Sequence, residues 1–460
     1  MKKPQLNRRN ALKSIAAGML AAAHPKALAA RGDNPSLSSN GLNVLFMTAD
    51  DIGWKDLSVD GNTNIKTPHL DQLASEGIRF ENAFGVTSSC SSSRASFITG
   101  QYISTHGVDG LTHRYLRKQL SPWRMTMPDY FKRAGYHTAI QGKWHVAPFF
   151  PTSFYGYLDS LGSSMPWKRH IKNPKQIQKY FKAAGINKRP FYLELNFTDT
   201  HRSANGTFSQ DPKFVIDPEE IEVPAWMGLP NWKEIRADLA RYYGKLLRTD
   251  YLVGETLAAL KANGLEKNTI VIFVSDNGSP FPGNKMALLD RGIGTPLLMK
   301  LPGQIDAGQV SKAFVSTIDI MPTVLDLCEV EARKEIEGRS FKNILKDSKA
   351  DKHRDYICAE MNFHVQSIPM RAIRTSQWKA IYNMSDSPLG LDDLHGVDWA
   401  MKLCEREDQP WLRARPPFEL YDISQDPYEK INLAGQKSFA SVEEEFKQQL
   451  QKNWQKTKLG

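Results

Sequence analysis

The hydrophobic pattern of the chain consists of short apolar runs separated by longer amphipathic segments. Apolar runs of this kind are typical of strands that are buried on both faces of a sheet. Four of them are strand candidates: Leu42–Thr48, His137–Gln141, Phe191–Phe197 and Thr269–Val274. Because helix-like segments lie between the strands, the pattern predicts an α/β fold in which helices cover both faces of the sheet.

Helix boundaries are marked in the intervening segments. Thr67–Gly77 has a proline near its start and a glycine at its end, and Met127–Gly135 repeats this arrangement. A longer helical stretch is predicted from about Trp232 to Asn263. The region 151–230 is rich in Pro, Lys, Asn and Ser. Apart from the strand at Phe191, we expect this region to form loops over the sheet that shape a ligand site.

The pattern of apolar and polar residues changes after about residue 365. Ile373–Tyr382 and Glu419–Asp422 have the pattern of short antiparallel strands, and an amphipathic helix is predicted from about Ser441 to Thr457. We therefore predict a large N-terminal domain over residues 31–365 and a smaller C-terminal α+β subdomain over residues 366–460.

Residues 1–30 are predicted to be a targeting segment outside the fold. Asn7–Lys13 carries a twin-arginine pattern, and Ser14–Ala23 supplies an apolar core that is too short to span a bilayer. Small residues predict cleavage near Ala29 or Ala30. The expected location is periplasmic or secreted, with an anchored N-terminal helix as the alternative. No later stretch of the sequence approaches transmembrane length.

Composition limits the classes of partner. The 460 residues are 41% hydrophobic and 24% charged, as in an ordinary globular protein. Six units of the formal net charge of +10 come from residues 1–30. The remaining mild excess fits an anionic ligand and is too small to indicate nucleic-acid binding. The cysteines are too few for a fold that depends on disulfides, although an exported protein could pair two of them, Cys358 and Cys404.

The segment Cys90–Gly100 is the most distinctive in the chain. It places Cys90 four residues before Arg94 and just ahead of a helix-like apolar stretch. A cysteine at a helix start lies near free backbone N–H groups and the positive end of the helix dipole, which bind anions and activate sulfur. The alternative is a small buried cysteine in a serine-rich turn.

Two acidic turns follow predicted strands. Asp50 and Asp51 follow the first strand, and Asp276 and Asn277 follow the strand that begins at Thr269. Ligand sites in open α/β sheets lie at such strand ends. Three carboxylates and one amide form a hard oxygen site suited to calcium or magnesium. Either pair alone could be an ordinary turn, but two pairs after two buried strands favour a metal site.

Two further loops carry histidines after predicted strands. Lys143 and His145 are two residues apart after the strand that ends near Gln141, so both side chains can reach one cleft. A surface loop with a solvated lysine is the alternative. His201 follows the strand that ends at Phe197, and it could be structural or catalytic.

Together these segments resemble the formylglycine-dependent sulfatase family. Cys90–Gly100 is similar to the family signature, Cys-x-Pro-Ser-Arg followed by a small apolar run that ends in Thr-Gly. Ser92 stands where the family usually has Pro or Ala. Gly142–His145 matches the family motif Gly-Lys-Trp-His at every position. Further segments resemble the sulfamidase (heparan N-sulfatase) branch: Asp199–Arg202, Ser275–Lys285 and Thr295–Leu298.

The resemblance covers about residues 40–435. It implies an alkaline-phosphatase-like fold, with a large mixed, mainly parallel sheet between helices and a short antiparallel sheet in the C-terminal subdomain. It implies that a formylglycine-generating or equivalent enzyme oxidises Cys90, and Ser92 leaves open which system does so. It also implies one divalent cation, usually Ca²⁺ with Mg²⁺ as the alternative, at four ligands: Asp50, Asp51, Asp276 and Asn277.

Basic residues complete the implied site. Lys143 would contact the sulfate, as would Lys285, which stands where sulfamidases carry arginine. Arg94 would hold negative charge on the aldehyde hydrate, and Arg202 is a further candidate for binding substrate.

The implied reaction is hydrolysis of a sulfate ester or an N-sulfate. Hydrated formylglycine at position 90 would attack sulfur, with the cation orienting and acidifying it. His201 would donate a proton to the departing alcohol or amine. His145 would take a proton from the second hydroxyl, so that sulfate leaves and the aldehyde forms again.

Two other functions remain open from the sequence. A phosphohydrolase of the same superfamily would usually bind two metals, and the Cys-x-x-Ser-Arg run favours sulfate over it. A noncatalytic glycan-binding relative would keep Cys90 unmodified. The expected partner is a sulfated oligosaccharide or polysaccharide, either an N- or O-sulfated heparan-type sugar or a marine galactan such as carrageenan.

Overall fold

A computed structural model describes residues 39–113, 118–147, 152–161, 171, 174–347, 349–350, 352–386, 394, 397–406 and 414–458. The predicted targeting segment, residues 1–30, lies outside the described residues. The described part of the chain forms a large sheet between two layers of helices and a second, smaller sheet.

The large sheet contains these strands: β1 Asn43–Ala49, β2 Ile78–Phe84, β3 His137–Gly142, β4 Asp159–Ser160, β5 Phe191–Phe197, β6 Thr269–Ser275, β7 Leu297–Lys300 and β8 Gln309–Ser316. Their order across the sheet is β4-β3-β5-β1-β6-β7-β2-β8. β7 pairs antiparallel with β6 and β2, whereas the other neighbours run parallel. The prediction of a mixed, mainly parallel sheet is confirmed.

The described helices are α1 Pro68–Ser75, α2 Cys90–Thr99, α3 Ile103–His106, α4 Met127–Arg133, α5 Lys175–Asn187, α6 Lys233–Ala262, α7 Asp290–Ile293, α8 Ile320–Leu327, α9 Lys342–Lys346, α10 Asp398–Cys404 and α11 Ala440–Lys458. Successive residues of a strand point to opposite faces of the sheet. In β1, Leu45 and Met47 therefore join the apolar cluster beneath α1, α5 and α6, whereas Val44 and Phe46 join the cluster beneath α2, α4 and α8. Both faces are covered, as the continuous apolar runs predict.

The small sheet is antiparallel, and its order is β12-β11-β10-β9, with the bounds β9 Tyr356–Phe363, β10 Ser367–Thr375, β11 Trp378–Asn383 and β12 Phe418–Asp422. Helix α11 packs Phe446 and Leu450 against Ile373 and Leu420 of this sheet. The sheet begins at Tyr356, ahead of the predicted domain boundary at residue 365, and that boundary stays a prediction.

The prediction of loops over residues 151–230 is wrong at α5, which runs from Lys175 to Asn187. This helix buries Ile177, Tyr180 and Phe181 on one face. Three apolar residues among many lysines and glutamines give a weak signal in the sequence, and packing against the sheet supplies most of the stability of such a helix.

No helix in the described part of the chain is long and apolar enough to cross a membrane. The pairing of Cys358 with Cys404 that the sequence left open is not formed. Cys358 packs beneath α11, whereas Cys404 packs against the cluster that lies under α1, α5 and α6.

Candidate active site

The predicted site residues converge at one edge of the large sheet. β3, β5, β1 and β6 are adjacent and parallel, so their C-terminal ends lie side by side. Asp50 directly follows β1, Lys143 follows β3, His201 lies a short turn after β5, and Asp276 follows β6. This is the edge at which ligands bind in open α/β sheets.

The two acidic turns meet through direct hydrogen bonds. The backbone N–H of Asp51 donates to Asp276 Oδ1 at 3.1 Å, and Asn277 Nδ2 donates to Asp51 Oδ1 at 2.7 Å. Asp51 has a φ of 63°, a left-handed conformation that costs energy in a residue other than glycine. All four predicted ligands, including Asp50, are buried. The structure therefore brings the two pairs together, as predicted.

Asp56 and Tyr242 hold the first acidic turn in shape. Asp56 Oδ2 accepts hydrogen bonds at 2.6 Å from the N–H of Gly53 and from the hydroxyl of Tyr242. The same hydroxyl lies 2.9 Å from the carbonyl oxygen of Asp51. Because Tyr242 belongs to α6, the long helix fixes the backbone at the end of β1.

The donor set of this turn fits a hard divalent cation. Oxygens of Asp50 and Asp276 and the Sγ of Cys90 all lie within 4.8 Å of one another. Asn277 Oδ1 is buried and has no hydrogen-bond partner among the described residues, an arrangement that costs free energy unless a ligand fills it. Carboxylate and amide oxygens are the usual ligands of calcium and magnesium. Asp50, Asp51, Asp276 and Asn277 could together hold such an ion.

Cys90 is the first residue of α2, and Ser89 precedes it as the N-cap residue. The Ser89 hydroxyl makes no capping hydrogen bond to the helix. Instead its Oγ lies 2.9 Å from Nδ1 of His364, a buried residue in the turn between β9 and β10. The small sheet thus reaches the start of α2, and the Ser89 side chain does not pair with the first N–H groups of that helix.

The Cys90 thiol is not activated by its position. Burial raises the pKa of this thiol well above its ordinary value, Lys143 and Lys285 oppose the rise, and Asp50 and Asp276 add to it. Burial therefore opposes the activation of sulfur that the helix start predicts for the unmodified residue.

The three predicted basic residues are buried and contact the acids. Lys143 Nζ donates to both carboxylate oxygens of Asp50, at 2.9 and 2.7 Å. Lys285 Nζ donates to Asp51 Oδ2 at 3.0 Å. Arg94 donates from Nε to Asp276 Oδ2 at 2.9 Å, and a second nitrogen of its guanidinium lies 2.8 Å from the same oxygen.

The two acids nearest Cys90 differ in acidity. Burial would raise the pKa of Asp50, but the surrounding cations, of which Lys143 acts most strongly, lower it well below its ordinary value. Burial and the charge of Asp50 raise the pKa of Asp276 to about 7. Crowded carboxylates repel one another, and a cation between them removes that repulsion.

The loop after β3 presents His145 to the site. Gly142 has a φ of 94°, and a Cβ atom there would lie 2.0 Å from the carbonyl oxygen of Asn196, so only glycine fits. His145 Nε2 lies 2.8 Å from Nδ1 of His113. Burial, Lys143 and His113 together lower the pKa of His145 well below its ordinary value, so its ring is neutral.

The loop after β5 presents His201, which is half-buried. Its Nδ1 lies 2.6 Å from the carbonyl oxygen of Arg202, and a carbonyl can only accept, so Nδ1 carries a proton. His201 is close enough to Asp50 to help lower the pKa of that acid.

The prediction that Arg202 binds substrate is corrected. Its Nε donates to the carbonyl of Pro280 at 2.8 Å, Nη1 to that of Gly206 at 2.8 Å, and Nη2 to Asp238 Oδ2 at 2.6 Å. The guanidinium also lies over the ring of Phe208. Since each of its nitrogens is bound to protein in a buried position, Arg202 fixes the loop that carries His201.

Four residues of the site were not found from the sequence: Asp56, His113, Tyr242 and His364. None of them belongs to a motif that marks ligand binding, and His364 follows a strand of the small sheet, not one of the large sheet. His364 lies 274 positions from Cys90 in the chain, and it reaches the site only because the small sheet packs there. Tyr242 stands within a helix whose buried aromatic residues look like ordinary core.

Known families match most of the chain. The family described as Sulfatase matches residues 42–330. A second family, described as N-sulphoglucosamine sulphohydrolase, C-terminal, matches residues 283–396.

Two relatives and one solved structure add detail. Human N-sulphoglucosamine sulphohydrolase is 33% identical over 460 aligned residues, which cover 90% of this chain and 89% of the human protein. An ulvan-active sulfatase from Formosa agariphila is 25% identical and covers 89% of this chain and 74% of its own length. A structure solved in complex with its substrate, D-glucosamine-2-N,6-O-disulfate, has a TM-score of 0.66 at 20% identity and covers 91% of this chain and 98% of its own. At that identity the likeness shows a common fold.

Proposed function

The chain belongs to the sulfatase family, and we propose that it releases sulfate from a sulfated carbohydrate, using formylglycine at position 90 and one divalent cation. The observation that carries this proposal is the cluster of Asp50, Cys90 and Asp276, whose ligand atoms lie within 4.8 Å of one another. Transfer of a sulfuryl group needs a nucleophile with positive charge around the sulfate oxygens. Lys143 and Lys285 are buried beside this cluster.

Two features support conversion of Cys90. A buried thiol with a raised pKa is a poor nucleophile at neutral pH. A sulfur atom is also a soft ligand among hard carboxylate oxygens, and oxygen is the better ligand for calcium or magnesium. Formylglycine would supply a hydrated aldehyde as an oxygen nucleophile beside the ion.

The residues of the chain have separate tasks in this proposal. Asp50, Asp51, Asp276 and Asn277 would hold the ion. Lys143 and Lys285 now donate to carboxylates. If those carboxylates bound an ion, the ammonium groups of both lysines would be available to the anionic oxygens of a sulfate.

Two histidines and one arginine complete the site. Arg94 stays paired with Asp276 and keeps that carboxylate in place. His201, oriented through its Nδ1–H, donates a proton to the departing amine or alcohol when its other nitrogen is protonated. His145 is neutral and would accept a proton from the second hydroxyl of the hydrated formylglycine.

We propose N-sulfated glucosamine as the substrate class. The support is the match of residues 283–396 to the C-terminal family of N-sulphoglucosamine sulphohydrolase and the 33% identity to the human member. A specific competitor is an O-sulfated polysaccharide, because an ulvan-active sulfatase also matches over 89% of this chain.

A panel of saccharides tests both parts of the proposal. Purified enzyme is incubated with N-sulfated and 6-O-sulfated glucosamine oligosaccharides, ulvan, carrageenan and a sugar phosphate, and free sulfate and phosphate are measured by ion chromatography. We expect sulfate release, fastest from the N-sulfated sugar. Faster release from ulvan or carrageenan would overturn the substrate class alone. Release of phosphate without sulfate would overturn the reaction.

We also propose export by the twin-arginine route, supported by the pattern at Asn7–Lys13. The full chain should appear in the periplasmic or secreted fraction without residues 1–30. Replacing both Arg8 and Arg9 by Lys should retain it in the cytosol. Export of that variant at the normal level would contradict the proposal.

A further inference from the structure

His145 does not stand alone at the end of its loop. Its Nε2 lies 2.8 Å from Nδ1 of His113, and the two ring centroids are 4.9 Å apart. His145 is 3% exposed, whereas His113 is half-buried. The pair therefore joins a fully buried imidazole to one that water can reach.

The backbone around this pair is fixed at three points. The hydroxyl of Thr112 donates to the carbonyl of His145 at 3.2 Å, and the N–H of Thr112 lies 3.3 Å from Oγ of Ser91, the residue after Cys90. The N–H of Leu120 donates to the carbonyl of Val146 at 2.9 Å. These contacts hold His145 at a φ of 57°, which an unsupported histidine would rarely adopt. A strained backbone held by its surroundings indicates that the position of this ring matters.

The two ring nitrogens of His145 are in different situations. Nε2 faces His113, whereas Nδ1 is buried and has no hydrogen-bond partner among the described residues. A neutral imidazole carries one proton, so the partner of one nitrogen decides what the other can do. Besides His113, the charged groups that act on the ring are Lys143, Asp50 and Arg94. The two cations oppose a proton on it.

We propose that His113 is a positioning residue for His145. It accepts a hydrogen bond from His145 Nε2–H, which leaves Nδ1 with a lone pair as the nitrogen that works in the site. This inference rests on the proposed function, in which His145 accepts a proton. The reverse tautomer would place an N–H at Nδ1, where it would be a buried donor without a described partner and could accept nothing.

Nuclear magnetic resonance of the full-length enzyme labelled with ¹⁵N at histidine tests the proposal without substrate, because ¹⁵N shifts separate protonated from bare ring nitrogens. The His145 signals are assigned by comparison with His145→Gln. At neutral pH we expect Nε2 of His145 to be protonated and Nδ1 to be bare. A proton on Nδ1 would overturn the proposal.

Two substitutions then test the part played by His113. In His113→Gln the amide oxygen can still accept from Nε2–H, so the tautomer and most of kcat should survive. In His113→Leu the acceptor is lost, the tautomer should become mixed, and kcat should fall ~10- to 100-fold with little change in KM, as for other partners that orient a working imidazole. The matched control is His137→Gln. His137 contacts Tyr180 and lies at the first residue of β3, at the opposite end of the strand from His145, so this change should leave kcat unaltered.

The outcomes are distinct. Unchanged tautomer and kcat in His113→Leu would overturn the proposal, as would a His113→Gln enzyme that keeps the tautomer but loses as much kcat as His113→Leu. If the leucine variant does not fold, the wild-type and glutamine spectra still decide the tautomer. If the enzyme releases no sulfate, the proposed function is wrong. The spectra would still show which nitrogen of His145 carries the proton, so the two failures can be told apart.

Discussion

Two sites in this protein pair buried carboxylates with basic side chains, but the two sites are built differently. The first is at Asp319, before α8. Its oxygens accept from the N–H groups of Ser316 and Arg339, at 2.9 and 2.7 Å, from His353 at 3.0 Å and from Arg354 Nε at 2.6 Å. Burial alone would raise the pKa of Asp319, but the hydrogen bonds and charges of Arg354 and His353 lower it.

The second is the strand-end cluster of Asp50, Asp51, Asp276 and Asn277. Here the carboxylates crowd one another, and the pKa of Asp276 is raised to about 7 by burial and by Asp50. Asn277 Oδ1 has no partner in the described residues.

Both sites are buried and charged, so what distinguishes them is whether their oxygen atoms already have hydrogen-bond partners. A carboxylate with all its acceptor positions filled has no capacity left for a ligand, and removing it leaves cations unpaired. Crowded carboxylates beside an unpartnered amide oxygen have capacity for a cation. We infer that the first site stabilises the fold and that the second serves the reaction.

The largest expected effect is at the nucleophile. Cys90→Ser should lower kcat by ~10³-fold or more, because serine cannot take the place of formylglycine. The folded state should be retained, with an unchanged melting temperature. Cys328→Ser, which alters an equally buried cysteine away from the cluster, is the matched control and should keep kcat. A Cys90→Ser enzyme with wild-type kcat would contradict the proposed nucleophile.

The next effect is at the saturated carboxylate. Asp319→Asn should lower the free energy of unfolding by about 3 kcal/mol, because Arg354 and His353 lose their buried partner. Because the folded pKa of Asp319 is lowered below 3.8, its contribution is present above that pH and is lost as the pH falls through the folded value. Urea unfolding of both proteins should therefore show a difference that shrinks below about pH 4. A difference that grew on acidification would show the assignment to be wrong.

Calcium separates the two sites directly. Ca²⁺ at 100 times its Kd should raise the free energy of unfolding of the wild type by about 2.7 kcal/mol. Asp276→Asn should lose this increment, because one carboxylate ligand is gone, whereas Asp319→Asn should keep it. Thermal melts with and without Ca²⁺ measure both variants. Equal stabilisation of Asp276→Asn and the wild type would place the ion elsewhere.

The smallest effect is at the contact between the two sheets. Ser89→Ala and His364→Ala should each weaken the hold of the β9–β10 turn on the start of α2. A double-mutant cycle on the free energy of unfolding should give a coupling of about 1 kcal/mol, as for one buried hydrogen bond. Additive effects would mean that the 2.9 Å contact between these side chains contributes nothing to stability.

Much of the fold followed from local patterns. The strand β5 was predicted at its observed bounds, and α6 and α11 within one or two residues. The acidic pairs and the Lys143–His145 loop converge as predicted, because parallel strands bring their C-terminal ends to one edge whatever the sequence distance between them.

The features that could not be predicted from the sequence depend on tertiary contacts. Arg202 has a suitable charge beside His201, and only the three-dimensional structure shows that its nitrogens are already bound. Activation of the Cys90 thiol was expected from its place at a helix start, but burial reverses it. His113 is found only through its distance from His145. Each of these depends on desolvation or on partners that are remote in the chain.

The most direct test of the account is the mass of one tryptic peptide. Cleavage after Arg79 and Arg94 releases Phe80–Arg94, in which Cys90 is the only cysteine. In preparations matured to different extents, the fraction of this peptide with the lighter formylglycine mass should rise in proportion to the rate of sulfate release. Full sulfatase activity from a preparation in which residue 90 is entirely a thiol would contradict the account.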